Sequence, residues 1–223
     1  MGDLTKSIPK PLLRVAGKTL LEHKLENLPS EIDEVVILIG YLKDQITNHL
    51  GGKHSGRKIS YVVQKELLGT GHGLWQLKDI LKERFLVMNG DDLYSREDME
   101  ECLKAPWSIL VKEVDFLEAG GRVVLKPDGK SLSGIIEGNN HGQSRALVNT
   151  GLYVLGKEIF DFPLVQIPGR EEYGLPQTLL QAANDFPIEI VRSKFWFPIT
   201  EPEDLRKAEE ILNAFNRKSS LTN

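Results

Sequence analysis

The chain has 223 residues, 40% hydrophobic and 27% charged, with 28 basic against 32 acidic side chains and a net charge of −4. That length holds one large domain or two small ones, and the charge balance argues against a protein that wraps nucleic acid or coats an anionic membrane. The single cysteine, Cys102, excludes a disulfide framework and cysteine-rich zinc modules, and no apolar run reaches the roughly 18 residues of a membrane span, so a cytoplasmic protein is expected.

Leu20, Leu21, Leu25 and Leu28 carry a helical pattern, and Val35 to Ile39 reads as a buried strand ended by Gly40. Tyr41 to Leu50 predicts a helix stopped by Gly51 and Gly52, and Ile59 to Val63 a strand. Leu74, Leu77 and Leu81 mark another helix, and Phe85 to Met88 a fully apolar strand running into Asn89, Gly90, Asp91 and Asp92. Such alternation implies an α/β fold with a mostly parallel sheet and helices on both faces. After a helix over Arg96 to Leu103 the style changes. Ser108 to Val114, Arg122 to Lys126 and Leu132 to Glu137 predict a small inserted β region, with Pro127, Asp128 and Gly129 as its turn. Asn139 to Arg145 reads as a loop, Ala146 to Leu155 and Ile188 to Val191 as strands, and Gln177 to Ala183 as a helix. A last helix from Pro202 through Phe215 takes Thr200 as its cap, so that one domain is expected over 1–216 with a frayed tail over 217–223.

Three segments could carry chemistry. In Ile8, Pro9, Lys10, Pro11, the flanking prolines hold Lys10 in extended backbone and fix one ammonium group as a point charge for a phosphoryl group. In the run from Gln64 to Gly73, Gly69, Gly71 and Gly73 at a helix entrance would admit close approach of a ligand to the backbone; the Gln64 carboxamide can pair with a base edge. Asn89, Gly90, Asp91 and Asp92 directly follow an apolar strand, where a carboxylate can hold a divalent cation, the alternative being a turn with a helix-capping aspartate. His23, His49, His54, His72 and His141 show no metal-ligand spacing, and no base stands near Cys102 in the chain.

In this order the three segments, with Asn149-Thr150-Gly151-Leu152-Tyr153 and Trp196 followed by Pro202-Glu203-Asp204-Leu205, resemble the sugar nucleotidyltransferase family. The resemblance covers nearly the whole chain and implies a Rossmann-like fold. It also implies transfer of a nucleoside monophosphate from a nucleoside triphosphate to a sugar 1-phosphate, giving a nucleotide sugar and pyrophosphate. By that likeness Lys10 contacts phosphate as the catalytic lysine and Gln64, Gly69 and Thr70 hold the nucleotide. Asp91 binds Mg2+, and Gly121, Glu137 and Asn149 line the sugar side. Its partners are then the two small substrates, with no nucleic acid and no membrane, and a homo-oligomer is left open. Two features depart from the family pattern. The family's opening strand and glycine-rich loop with its arginine have no counterpart here, so Met1 is expected to be an internal methionine of a longer protein. A non-catalytic sugar-nucleotide sensor or scaffold is the rival reading. Pro198 stands where many members carry a second metal-binding aspartate, leaving Glu201 and Asp204 as substitutes, although Asp204 reads equally as a first-turn helix acid.

Overall fold

A computed structural model of the protein describes residues 1–2 and 4–220. In chain order it contains a helical turn α1 (Leu4–Ser7), a 3-10 turn (Lys10–Leu12), β1 (Arg14–Val15), β2 (Lys18–Thr19), α2 (Leu20–Asn27), β3 (Glu34–Ile39), α3 (Lys43–Leu50), β4 (Lys53–His54) and β5 (Arg57–Val63). There follow α4 (Gly69–Trp75), β6 (Arg84–Met88), β7 (Asp92–Tyr94), α5 (Arg96–Leu103) and two long strands, β8 (Ser108–Leu125) and β9 (Leu132–Gly156). The chain closes with α6 (Leu175–Ala182), β10 (Glu189–Arg192), β11 (Trp196–Pro198) and α7 (Pro202–Ser220). The fold is α/β and Rossmann-like, and it divides into two compact units. One holds residues up to Val63 with Gly90–Arg96 and the chain from Phe195 on, the other Gln64–Asn89 with Glu97–Lys194.

In the first unit, β1 and β2 form a two-residue hairpin whose Ala16 and Gly17 both take positive φ (49° and 85°), as the twist of a tight hairpin requires. The hairpin delivers Thr19 as the N-cap of α2. Glu22 N donates to Thr19 Oγ1 at 3.1 Å and Thr19 N to Glu22 Oε2 at 2.7 Å, a reciprocal capping box. The other end of α2 is held by Arg57, whose guanidinium donates to the carbonyls of Leu28 at 2.7 Å, Ile32 at 2.8 Å and Pro29 at 2.9 Å. β3 runs parallel to β5 and β4 antiparallel to it, while β7 pairs antiparallel with β11. Leu13, Val15, Leu20, Leu93, Ile199 and Ala208 make the core of this unit.

In the second unit the strand order is β10, β8, β9, β6, with β10 parallel to β8 and the other pairs antiparallel. Gly120 (φ 115°) lets β8 turn within its own length: residues up to Leu117 pair with the far half of β9, and Ala119 to Leu125 pair with its near half. This is the inserted β region. Its apolar faces and α6 bury Ile109, Val111, Tyr153, Leu155, Leu175 and Leu179. Among the described residues, β3 and β6 each carry a neighbouring strand on one edge only.

Four expectations change. Asn139 to Arg145 is not a loop but part of β9, because pairing of Leu117 with Gln143 and Ala119 with Asn139 holds the backbone in the ladder, with irregularities at Gly142 and Arg145, whose φ values are 54° and 51°. The helix expected around Leu74 to Leu81 begins at Gly69 and ends at Trp75, so the glycines lie inside it; single turns then carry Leu77 to Leu81. Lys10 opens a 3-10 turn rather than lying extended, since Pro11 occupies a first-turn position where no N–H is needed and Leu12 N donates to Pro9 O at 2.8 Å. The last helix continues through Ser220, making 217–220 helical, and residues 221–223 lie outside the described residues.

Candidate active site

In the first unit, the 3-10 turn and the segment leading into β7 bring Lys10 and Asp91 together. The Lys10 ammonium donates to Asp91 Oδ2 at 2.6 Å, and the two side chains are 25% and 35% exposed, open enough to exchange partners with a ligand. The approach is close because Pro11 lies against Gly90, where a Cβ would stand 3.7 Å from the Pro11 ring. Asp92 is different in kind. It is 6% exposed, and its Oδ2 accepts from Trp196 Nε1 at 3.1 Å and from the Tyr94 hydroxyl at 3.3 Å, which commits this carboxylate to the β7–β11 pair.

Sequence reasoning missed Lys24. It occupies a core-facing position of α2, four residues after Leu20, and is 7% exposed. Its ammonium donates to the Asp92 carbonyl at 2.6 Å and lies 4.9 Å from the centre of the Tyr94 ring. Burial pushes Lys24 down to about 8, against the pull of the Asp92 and Asp91 carboxylates, which favour the charged form. The available signal was a lysine breaking the apolar stripe of an otherwise regular amphipathic helix.

Asp91 is a partly exposed carboxylate of the type that, with phosphate oxygens and water, holds magnesium, and the Lys10 ammonium lies 2.6 Å from it. Asp204 is committed elsewhere: its Oδ2 accepts from Thr200 N at 2.8 Å, Thr200 Oγ1 at 2.9 Å and Glu201 N at 2.8 Å, so it caps α7 and Thr200 is the donor. Pro198 pairs with Asp92 across the β7–β11 ladder, and its ring offers no ligand atom. Among the described residues no group of three or more histidines, cysteines or acids gathers as a metal site. Cys102 is buried and pushed up to about 12, which keeps it a thiol.

In the second unit, Gln64 follows β5 half-buried, and Gly69 and Thr70 open α4. The glycines serve the chain itself. Tyr173 N donates to Leu68 O at 2.7 Å, Gly71 N to Tyr173 O at 2.9 Å, and Leu175 N to Thr70 Oγ1 at 3.1 Å, so the loop is stitched to the entrance of α6. Gly69 has φ 93°, and a Cβ there would come within 2.5 Å of Tyr173 O. Gly69→Ala is therefore expected to destabilise the protein by about 2–4 kcal/mol, read as a fall in melting temperature. Gly71→Ala, whose Cβ would meet its nearest atoms at 3.1 Å, should cost clearly less.

The same unit gathers the three residues of the expected sugar side. Gly121 and Glu137 are cross-strand partners, and a Cβ on Gly121 would stand 2.7 Å from Glu137 Oε1, so glycine leaves that carboxylate its room. Asn149 is locked at both ends of its amide: Oδ1 accepts from Gly151 N at 3.0 Å, and Nδ2 donates to the Tyr153 hydroxyl at 2.7 Å. Gly151 (φ 77°) supplies the kink that brings positions 149 and 153 within reach. Burial pushes the Tyr153 phenol up, and the Glu137 carboxylate adds to the rise while the Asn149 bond opposes it.

The sequence is 31% identical over 227 residues to the UTP–glucose-1-phosphate uridylyltransferase AglF of Haloferax volcanii, covering 95% of this chain and 91% of that one. It is 28% identical over 214 residues to the bifunctional protein GlmU of Methanocaldococcus jannaschii, covering 95% of this chain and 51% of the relative; the chain thus spans about half the length of that relative. Among solved structures, HddC from Yersinia pseudotuberculosis superposes with a TM-score of 0.74 at 25% identity, covering 92% of this chain and 91% of that one. A putative glucose-1-phosphate thymidylyltransferase from Bacillus anthracis gives 0.80 at 21% identity, covering 95% and 89%, a likeness of fold. The profile of the nucleotidyl transferase family matches residues 1–214, and the chain belongs to that family, as a relative of its sugar-1-phosphate members.

Proposed function

We propose that the chain acts over 1–216 as a cytoplasmic sugar-1-phosphate nucleotidylyltransferase. The reading is carried by the Lys10–Asp91 pair at 2.6 Å, a cation and an anion both partly open and both able to trade partners with a metal-bound triphosphate. In this reading Lys10 holds a substrate phosphate, Asp91 holds Mg2+, Gln64 with the backbone at Gly69 and Thr70 takes the base, and Gly121, Glu137 and Asn149 take the sugar. Gln64 suits its part because its carboxamide makes no hydrogen bond to any described residue and keeps a donor and an acceptor for a base edge. Magnesium, when bound, neutralises phosphate charge and orients the phosphates. The protein contributes position and fixed charge: a sugar phosphate oxygen attacks the α-phosphorus in line, the α–β bridging bond breaks, and pyrophosphate leaves with the electron pair.

The test is pyrophosphate release with UTP, TTP, GTP and CTP, each paired with glucose 1-phosphate and with N-acetylglucosamine 1-phosphate. One pair should turn over, and Gln64→Ala should weaken its nucleotide about tenfold without moving the melting temperature. Binding of a nucleotide sugar with no turnover in any pair would instead identify a sensor.

A further inference from the structure

Lys24 has no part in the reading above, and its placement asks for one. Leu20, Leu21 and Leu25 share its face of α2, and an apolar side chain there would pack without the desolvation that an ammonium suffers. Stability alone does not call for a charge. The ammonium grips the Asp92 carbonyl at 2.6 Å, next to the turn that carries Asp91, and lies 4.9 Å from the centre of the Tyr94 ring. On the open side of the same turn stands Lys10, bound to Asp91 at 2.6 Å. The Asp91–Asp92 turn therefore lies between an open lysine and a buried one.

We propose that Lys24 is a positioning residue, the buried counter-charge of the Asp91–Asp92 turn, which lets Lys10 leave Asp91 for a substrate phosphate. The inference rests on the proposed function in taking a phosphate as the ligand of Lys10. Coulomb attraction from two adjacent carboxylates would hold Lys10 in place, and a second fixed cation behind them weakens that hold. Lys24 can serve as this cation because burial in α2 holds its ammonium on the Asp92 carbonyl, whereas Lys10, 25% exposed, is able to turn outward. The grip on the Asp92 carbonyl also keeps the turn in shape while Lys10 is away.

Isothermal titration with pyrophosphate in excess MgCl2 tests this without reference to the base or the sugar. Lys24→Met keeps the length and removes the charge; Lys24→Gln keeps a donor toward the carbonyl and also removes the charge. Both should weaken binding about tenfold, and Lys24→Met should add nothing in a Lys10→Met background, because no Lys10 is left to be released. Wild-type affinity in both variants overturns the proposal, as does an equal loss with and without Lys10. Failure of both variants to fold, seen by circular dichroism, assigns Lys24 to the core and overturns it too. If the wild-type protein itself shows no Lys10-dependent binding, it is the phosphate reading that falls.

Discussion

Asp91→Asn is expected to slow pyrophosphate release by about 10²- to 10³-fold, the size of effect seen when one charge-stabilising group is taken from a reacting centre. The side chain is 35% exposed and its one short bond is to Lys10, so folding should be unaffected and the melting temperature nearly unchanged. Asp92→Asn should do the reverse. Its carboxylate is 6% exposed, and both Trp196 Nε1 and the Tyr94 hydroxyl donate to Oδ2, a place an amide oxygen could fill, but the substitution removes the negative charge that offsets the buried Lys24 ammonium. A loss of about 2–4 kcal/mol in stability follows, with turnover per folded molecule less affected than in Asp91→Asn. Denaturant titration and steady-state kinetics of the two variants separate the roles. Equal loss of activity at equal stability would refute the division of labour between these neighbours.

The largest expected effect on stability away from the site is that of Arg57→Ala. The guanidinium satisfies three carbonyls at 2.9 Å or less just beyond α2, and reaches those of Leu25 at 3.4 Å and Ser55 at 3.3 Å. No water-sized replacement offers five donors in one plane, so the loss should be about 3 kcal/mol, or roughly 6–12 °C in melting temperature for a chain of this size. Lysine brings the charge without the fork, and Arg57→Lys should recover less than half of the loss in the same melting experiment. Because α2 carries Lys24, the variant should also weaken pyrophosphate binding, a coupling that calorimetry would read directly.

Much of this protein is local in origin. The apolar runs at Val35 to Ile39 and Phe85 to Met88 become β3 and β6 because β-branched and aromatic residues fill a pleated surface, and the stripe of Leu20, Leu21 and Leu25 becomes the buried face of α2. Asp91 was legible as a candidate because a carboxylate after a buried strand stands at the end of the sheet, and Lys10 because two prolines frame it. Other features exist only through partners distant in the chain. Asp91 and Asp92 have the same side chain at adjacent positions, and nothing local says that Trp196, 104 residues on, takes one of them out of use. Gly69 and Gly71 suggested space for a ligand, yet the backbone at Tyr173 and Gly174 is what excludes a side chain from them. Asn139 to Arg145 has the composition of a loop and is held in the sheet by its ladder with β8. Lys24 breaks the apolar stripe of α2, but its meaning lies in the Asp92 carbonyl, 68 residues away, and a buried charge is set by what surrounds it rather than by its neighbours in sequence. Local pattern sets the periodicities and caps of this chain; contacts across the fold settle which carboxylate stays open and which lysine is held, because hydrogen-bond satisfaction and desolvation depend on partners distant in the chain.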